Sequence, residues 1–104
     1  FFMTHNGLPA IHPGAYLAEL LEELCLSQAQ FARLIGVSPG RITSVVKGLR
    51  PVTAELALLF GKAFGQSAHY WLNLQAEYDL KAAEKHLGLR LASVQVCSPH
   101  SLAV

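Results

Sequence analysis

Residues 27–48, SQAQFARLIGVSPGRITSVVKG, decide the fold. Ser27 is a good N-cap, because its hydroxyl can accept from a backbone N–H in the first turn of a helix. A helix over 28–35 lines up Phe31, Leu34 and Ile35 as an apolar stripe, and Gly36 offers a left-handed exit. Ser38-Pro39 again reads as an N-cap followed by a first helical position, where proline loses no hydrogen bond. The helix it starts, 39–47, turns Ile42, Val45 and Val46 inward and stops at Gly48. The pair meets in register what a helix-turn-helix needs. Ala32 is a small residue on the first helix facing the second. Gly36 is free to take positive φ, Val37 is apolar after the turn, and Ile42 and Val45 anchor the second helix.

Flanking segments are helical as well. Over 13–24, Leu17, Leu20, Leu21 and Leu24 share one face, with Glu19, Glu22 and Glu23 on the other side. Thr53 caps a helix over 54–64 that buries Leu56, Leu59, Phe60 and Ala63, and Gly65 stops it. Ser67 caps a fifth helix from Ala68 to about Leu87, with Trp71, Leu74 and Tyr78 at helical spacing and Gly88 as its end. From Leu89 onward Val94 and Val96 alternate weakly with polar residues, which reads as a loose tail or an extended arm. The expected fold is all-α: a five-helix DNA-binding domain over 11–83, an N-terminal segment 1–10, and a C-terminal extension 84–104.

The 104 residues suffice for one domain, with 52% apolar and only 14% charged. A chain so apolar is not a disordered charged tail. It has more apolar surface than a monomer needs, which suggests an area shared between subunits. The net charge of +1 by itself argues against nucleic acid. Its distribution argues the other way. Residues 1–23 carry −3, and residues 24–54 carry +4 from Arg33, Arg41, Lys47 and Arg50 with no acid. Residues 55–104 balance to zero. A phosphate-binding face needs a local patch rather than a global charge.

The phrases Ile11-His12-Pro13-Gly14, Leu26-Ser27-Gln28, Ile35-Gly36-Val37-Ser38, Arg41-Ile42 and Val46-Lys47-Gly48 resemble the lambda-repressor-like helix-turn-helix. The stretches Phe64-Gly65-Gln66-Ser67, Tyr70-Trp71-Leu72-Asn73-Leu74-Gln75-Ala76 and Tyr78-Asp79-Leu80 are more specific. They resemble the HigA-type antitoxins, also called the virulence-associated protein I type. The resemblance spans about residues 8–83. It implies a cytoplasmic antitoxin of a toxin–antitoxin module, a homodimer that represses transcription of its own operon by binding double-stranded operator DNA. It also implies a HigB-type, mRNA-cleaving toxin as partner. Carried over position by position, Gln28 would bond a phosphate at a helix N-terminus. Ser38, Pro39, Gly40, Thr43 and Ser44 would form the groove-facing edge of the recognition helix. Arg41, Lys47 and Arg50 would reach phosphates, or Arg41 a guanine edge. Pro39 and Gly40 stand where longer polar side chains are common, so direct readout would rest on Thr43, Ser44 and Arg41, with much left to DNA shape. Cys25 stands where glycine is usual, and a positive φ there would strain the backbone by roughly 1–2 kcal/mol. Ala15 stands where an acidic residue is usual.

Other functional classes find little support. His5, His12, His69, His86 and His100 form no HxxH or HxxxH pair, and Cys25 and Cys97 lie outside ligand spacing of them, so neither a metal nor a cofactor is expected. His12 reads as a helix-start residue. No catalytic motif is present, and an enzyme is not expected. No apolar run approaches the roughly 20 residues of a membrane span, and no secretory signal is expected. Met3 is the expected natural start, with Phe1 and Phe2 foreign to it. Tyr70, Trp71, Leu74 and Tyr78 are the expected dimer interface, on the helix longer than a single core contact requires. Two alternatives stay open: a stand-alone helix-turn-helix repressor without a toxin, and a protein-interaction module that binds DNA weakly. An adjacent small basic reading frame would support the toxin pairing.

Overall fold

Side chains at the starts of the first five helices occupy the first-turn N–H groups, and this sets where each helix begins. The computed structural model describes residues 10–97. The N-terminal residues 1–9, with His5, and residues 98–104, with Pro99 and His100, lie outside the described residues. The helices are α1 Pro13–Glu23, α2 Gln28–Ile35, α3 Pro39–Val46, α4 Ala54–Phe64, α5 Ala68–Leu87 and α6 Leu89–Ala92. His12, Ser27, Ser38, Thr53 and Ser67 cap α1 to α5, each accepting from a first-turn N–H. At α2 the cap is reciprocal: Ser27 Oγ accepts from Gln30 N–H (3.0 Å), and Gln30 Oε1 accepts from Ser27 N–H (2.8 Å).

The all-α expectation holds, with no strand among the described residues. The sixth helix is new. Leu89–Ala92 makes one helical turn with no buried residue where the sequence predicts an extended arm or loose tail. Gly88, at φ 53 and ψ −129, breaks the chain between α5 and α6. α5 ends at Leu87, where the sequence expects it, and so runs across the expected start of the C-terminal extension at residue 84.

Leu17, Leu21, Phe31, Ala32, Ile42, Val45, Val52, Leu56, Ala57, Phe60 and Trp71 form the core. Phe31 stacks on Phe64 at 5.1 Å, and Trp71 meets Phe60 edge-on, also at 5.1 Å. The Trp71 indole N–H, which needs an acceptor when buried, donates to Gln66 Oε1 at 2.8 Å. Three expected stripe residues turn outward. Leu24 is 53% exposed because α1 ends one residue earlier and Leu24 is its C-cap. Leu34 is 70% exposed, since α2 packs between α3 and α4 on the 31–32–35 side and Ala32 takes the buried place. Ala63 is exposed, with Ala57 and Gly61 filling the inner face of α4 instead.

Two backbone positions explain how α1, α2 and α3 meet. A Cβ on Gly14 would collide with the Val45 carbonyl oxygen, so α1 crosses α3 at a distance only glycine permits. Gly36, at φ 76, ends α2 in the left-handed conformation, and the Val37 N–H closes back on the Ala32 carbonyl at 3.0 Å. Cys25 takes φ 55, the strained conformation considered from its position after α1.

Candidate nucleic-acid interface

The α2–turn–α3 unit presents its polar side together with the loop that follows α3. Ser38 caps α3, its Oγ accepting from Arg41 N–H at 3.3 Å, and Ser38, Pro39 and Gly40 are exposed at the start of the helix. Nothing lies within 4 Å of where a Gly40 Cβ would stand, so neither Pro39 nor Gly40 is recruited into the fold's interior. Thr43 and Ser44 are partly exposed one turn further along. Lys47 and Arg50 are exposed at the end of α3 and in the loop leading to α4.

Two of the expected contact residues are bonded to each other. The Thr43 hydroxyl donates to Gln28 Oε1 at 2.8 Å, tying the first turn of α2 to the middle of α3. With its oxygen engaged by Thr43, the Gln28 amide still has its two N–H donors for an outside acceptor, which suits a phosphate. The helix N-terminus behind it adds partial positive charge.

Arg41 already has a partner within the free chain. Its Nη2 donates to Glu55 Oε1 at 2.9 Å, so in the free chain the guanidinium is held by the first turn of α4. Glu55 is the neighbour of the expected contact residues that reading the sequence missed. The acid-free window ends at residue 54, and the first acid after it folds back onto the patch. An acidic residue just after the Thr53 cap is the one local signal, and it points to the helix dipole rather than to Arg41.

The loop after α3 is fixed at several points. Leu49 and Arg50 both return their N–H groups to the Ser44 carbonyl, at 2.9 and 3.3 Å. On the inner side, His12 Nδ1 accepts from Gly14 N–H at 2.9 Å, and its ring packs edge-on against Tyr78 at 4.9 Å. Burial holds the His12 pKa below the usual histidine value, against the opposing pull of an Arg50 backbone hydrogen bond and the Asp79 charge.

Of the four residues expected at a dimer interface, one is withdrawn from solvent. Trp71 is fully buried within its own chain and has no area left for a partner. Tyr70 is 44% exposed, while Leu74 and Tyr78 are half-buried. Along α5 the buried residues are Trp71 and Gln75, both in its first half. The second half therefore packs no residue fully into its own core. Among the described residues no His/Cys/Asp/Glu group could hold a metal ion, and no helix is long and apolar enough to cross a membrane.

Comparison with known proteins agrees with this geometry. A helix-turn-helix family model matches residues 17–71. Virulence-associated protein I of Dichelobacter nodosus is 46% identical over 81 residues, covering 77% of this chain and 75% of that protein. An addiction module antidote protein of the HigA family from Coxiella burnetii superposes with a TM-score of 0.84 at 37% identity, over 88% of this chain and all of that one. The Pseudomonas aeruginosa antitoxin HigA, solved with the higBA promoter, superposes at 0.81 with 34% identity, over 86% of this chain and 99% of that one.

Proposed function

This chain belongs to the lambda-repressor-like helix-turn-helix family, in the branch of virulence-associated protein I and the HigA antitoxins, and from that premise we propose that it is an operator-binding antitoxin. The family is one of DNA-binding regulators rather than enzymes. The observation that carries the proposal is the bonded pair Gln28–Thr43 between exposed Ser38-Pro39-Gly40 and exposed Lys47 and Arg50. It makes one polar, cationic edge out of two helix starts and a loop. That a P. aeruginosa relative of the same fold was solved with promoter DNA supports DNA as the ligand.

In this reading α3 lies in the major groove with Thr43 and Ser44 toward the bases. Gln28, Lys47 and Arg50 hold phosphates, and Arg41 joins them when it leaves Glu55. The protein works as a two-fold homodimer in the cytoplasm, with half-sites about 34 Å apart. The second half of α5, with no residue fully buried in its own chain, supports placing the partner copy there, from Tyr78 onward, with Leu74 and Tyr70 on the turns before it. Occupancy of the operator represses the operon, and the toxin partner is of the HigB, mRNA-cleaving type.

The test is a mobility-shift titration with the chain's own promoter region. The parent chain is expected to bind as a dimer, and Arg41→Ala with Lys47→Ala is expected to weaken binding at moderate salt. Unchanged binding in that double variant would show that DNA contacts another surface. Co-purification with the product of an adjacent small basic reading frame tests the toxin pairing, and failure to form a complex removes it.

A further inference from the structure

Gln75 is a buried polar residue on α5 whose side chain makes no use of its own helix's backbone. Its Oε1 accepts from Val52 N–H at 2.8 Å, reaching 23 residues back into the loop between α3 and α4. Its Nε2 donates to Asp79 Oδ1 at 2.9 Å, one turn along α5. These two partners allow only one orientation of the amide. Val52 offers a donor and the Asp79 carboxylate an acceptor, so the oxygen must face the loop. Asp79 therefore acts as the brace that keeps Gln75 turned toward Val52.

The loop so held is the one that carries Arg50. The Arg50 N–H returns to Ser44, Pro51 has no N–H, and the Val52 N–H goes to Gln75. The chain between Ser44 and α4 is thus pinned at both ends of the Arg50-Pro51-Val52 bend, once by α3 and once by α5. An apolar side chain could fill the Gln75 site, but it would leave the buried Val52 N–H unpaired and the bend free to swing. We infer that Gln75 is a positioning residue for DNA binding, fixing through Val52 the bend from which Arg50 reaches a phosphate. The inference rests on the operator-binding reading above and adds α5 to the parts that set the DNA contact.

The experiment measures binding of the full chain to a duplex spanning its own promoter region by fluorescence anisotropy across a salt series. The variants are Gln75→Leu, Arg50→Ala and the two combined. Gln75→Leu is expected to weaken binding roughly fivefold and to flatten the slope of log affinity against log salt by up to about 0.9 per chain, the loss of one phosphate contact. In the Arg50→Ala background, Gln75→Leu is expected to add less than about a twofold further loss, because the contact it positions is already gone. A merely structural role would weaken both backgrounds alike, and that result overturns the inference, as does parent-like binding by Gln75→Leu. If Gln75→Leu does not fold, an exchange of charge carries the test. Gln75→Glu alone sets a carboxylate against Asp79 and should bind weakly. Adding Asp79→Asn restores a donor–acceptor pair and should recover binding to within about threefold of the parent, since like charges no longer meet. No recovery overturns the inference. Absent binding by the parent chain overturns the DNA reading itself, whereas full binding by Arg50→Ala beside a binding parent removes the Arg50 contact and with it this inference. Parent binding and an Arg50→Ala loss beside unaffected Gln75 variants overturn only the role of Gln75.

Discussion

Gly40 stands in the first turn of α3 with open space where a Cβ would be, so nothing in the fold asks for glycine there. Glycine in a helix is less favourable than alanine by up to about 1 kcal/mol. Gly40→Ala is therefore expected to raise stability by roughly 0.5–1 kcal/mol, a Tm increase of a few degrees by thermal denaturation. A lower Tm would show a constraint the free chain does not reveal. A higher Tm with weaker operator binding would show DNA backbone passing close to that position. His12 gives a second prediction at the same scale. Its Nδ1 is an acceptor for Gly14 N–H, and protonation would put a donor against a donor. Its folded pKa lies below the ordinary 6.5, chiefly through burial. The unfolded chain therefore takes up this proton first as pH falls. The contribution to stability is fully present above 6.5 and is lost between 6.5 and the lower folded value. His12→Asn keeps a cap acceptor without titrating, and should flatten denaturation midpoints measured from pH 7.5 to 5. An unaltered pH dependence in that variant would assign the effect to another group.

At the scale of elements, the helix starts were legible and the buried stripes were legible only in part. Caps are local chemistry: a hydroxyl at Ser27, Ser38, Thr53 or Ser67 meets an N–H two or three residues on, wherever the helix later packs. A stripe depends on the direction from which neighbours arrive. On α2 the neighbours α3 and α4 select Phe31, Ala32 and half-buried Ile35, which leaves Leu34 in solvent. Leu34→Ser is accordingly expected to change stability by less than about 0.5 kcal/mol, as surface substitutions do, whereas Ala32→Leu should cost about 1–3 kcal/mol by overpacking. Urea denaturation of the two variants decides between the stripes, and the reverse order would restore the periodic reading. The α1–α3 crossing was not legible, because no local pattern reveals that Gly14 faces the Val45 carbonyl from 31 positions away. Gly14→Ala should cost at least about 1–3 kcal/mol, since the obstacle is backbone and cannot rotate aside. The same blindness to distance hid Glu55 behind Arg41 and Val52 behind Gln75.

For the whole molecule the question is how many phosphates a nearly neutral chain can hold. The net charge of +1 conceals a middle segment of +4, of which Arg41, Lys47 and Arg50 lie on or next to α3. Each neutralised phosphate contributes about −0.9 to the slope of log affinity against log salt. If both chains of a dimer used all three cations, the slope would be about −5.4; with Arg41 kept by Glu55 in each chain, it would be about −3.6. The Arg41–Glu55 pair is exposed on its acid side, where such pairs contribute about 0–1 kcal/mol. A phosphate at hydrogen-bond distance is a competitive partner for the guanidinium, so the steeper slope is expected for the parent chain. Removing the competitor shifts the balance further. Glu55→Gln should bind promoter DNA more tightly than the parent, with an equally steep slope, because the Arg41 contact forms in both and only its internal rival is lost. A parent slope near −3.6 that steepens in Glu55→Gln would instead mean that Arg41 stays with Glu55 on the operator. Direct readout would then fall to Thr43 and Ser44 alone, and sequence preference would rest mainly on how easily the operator bends to meet them.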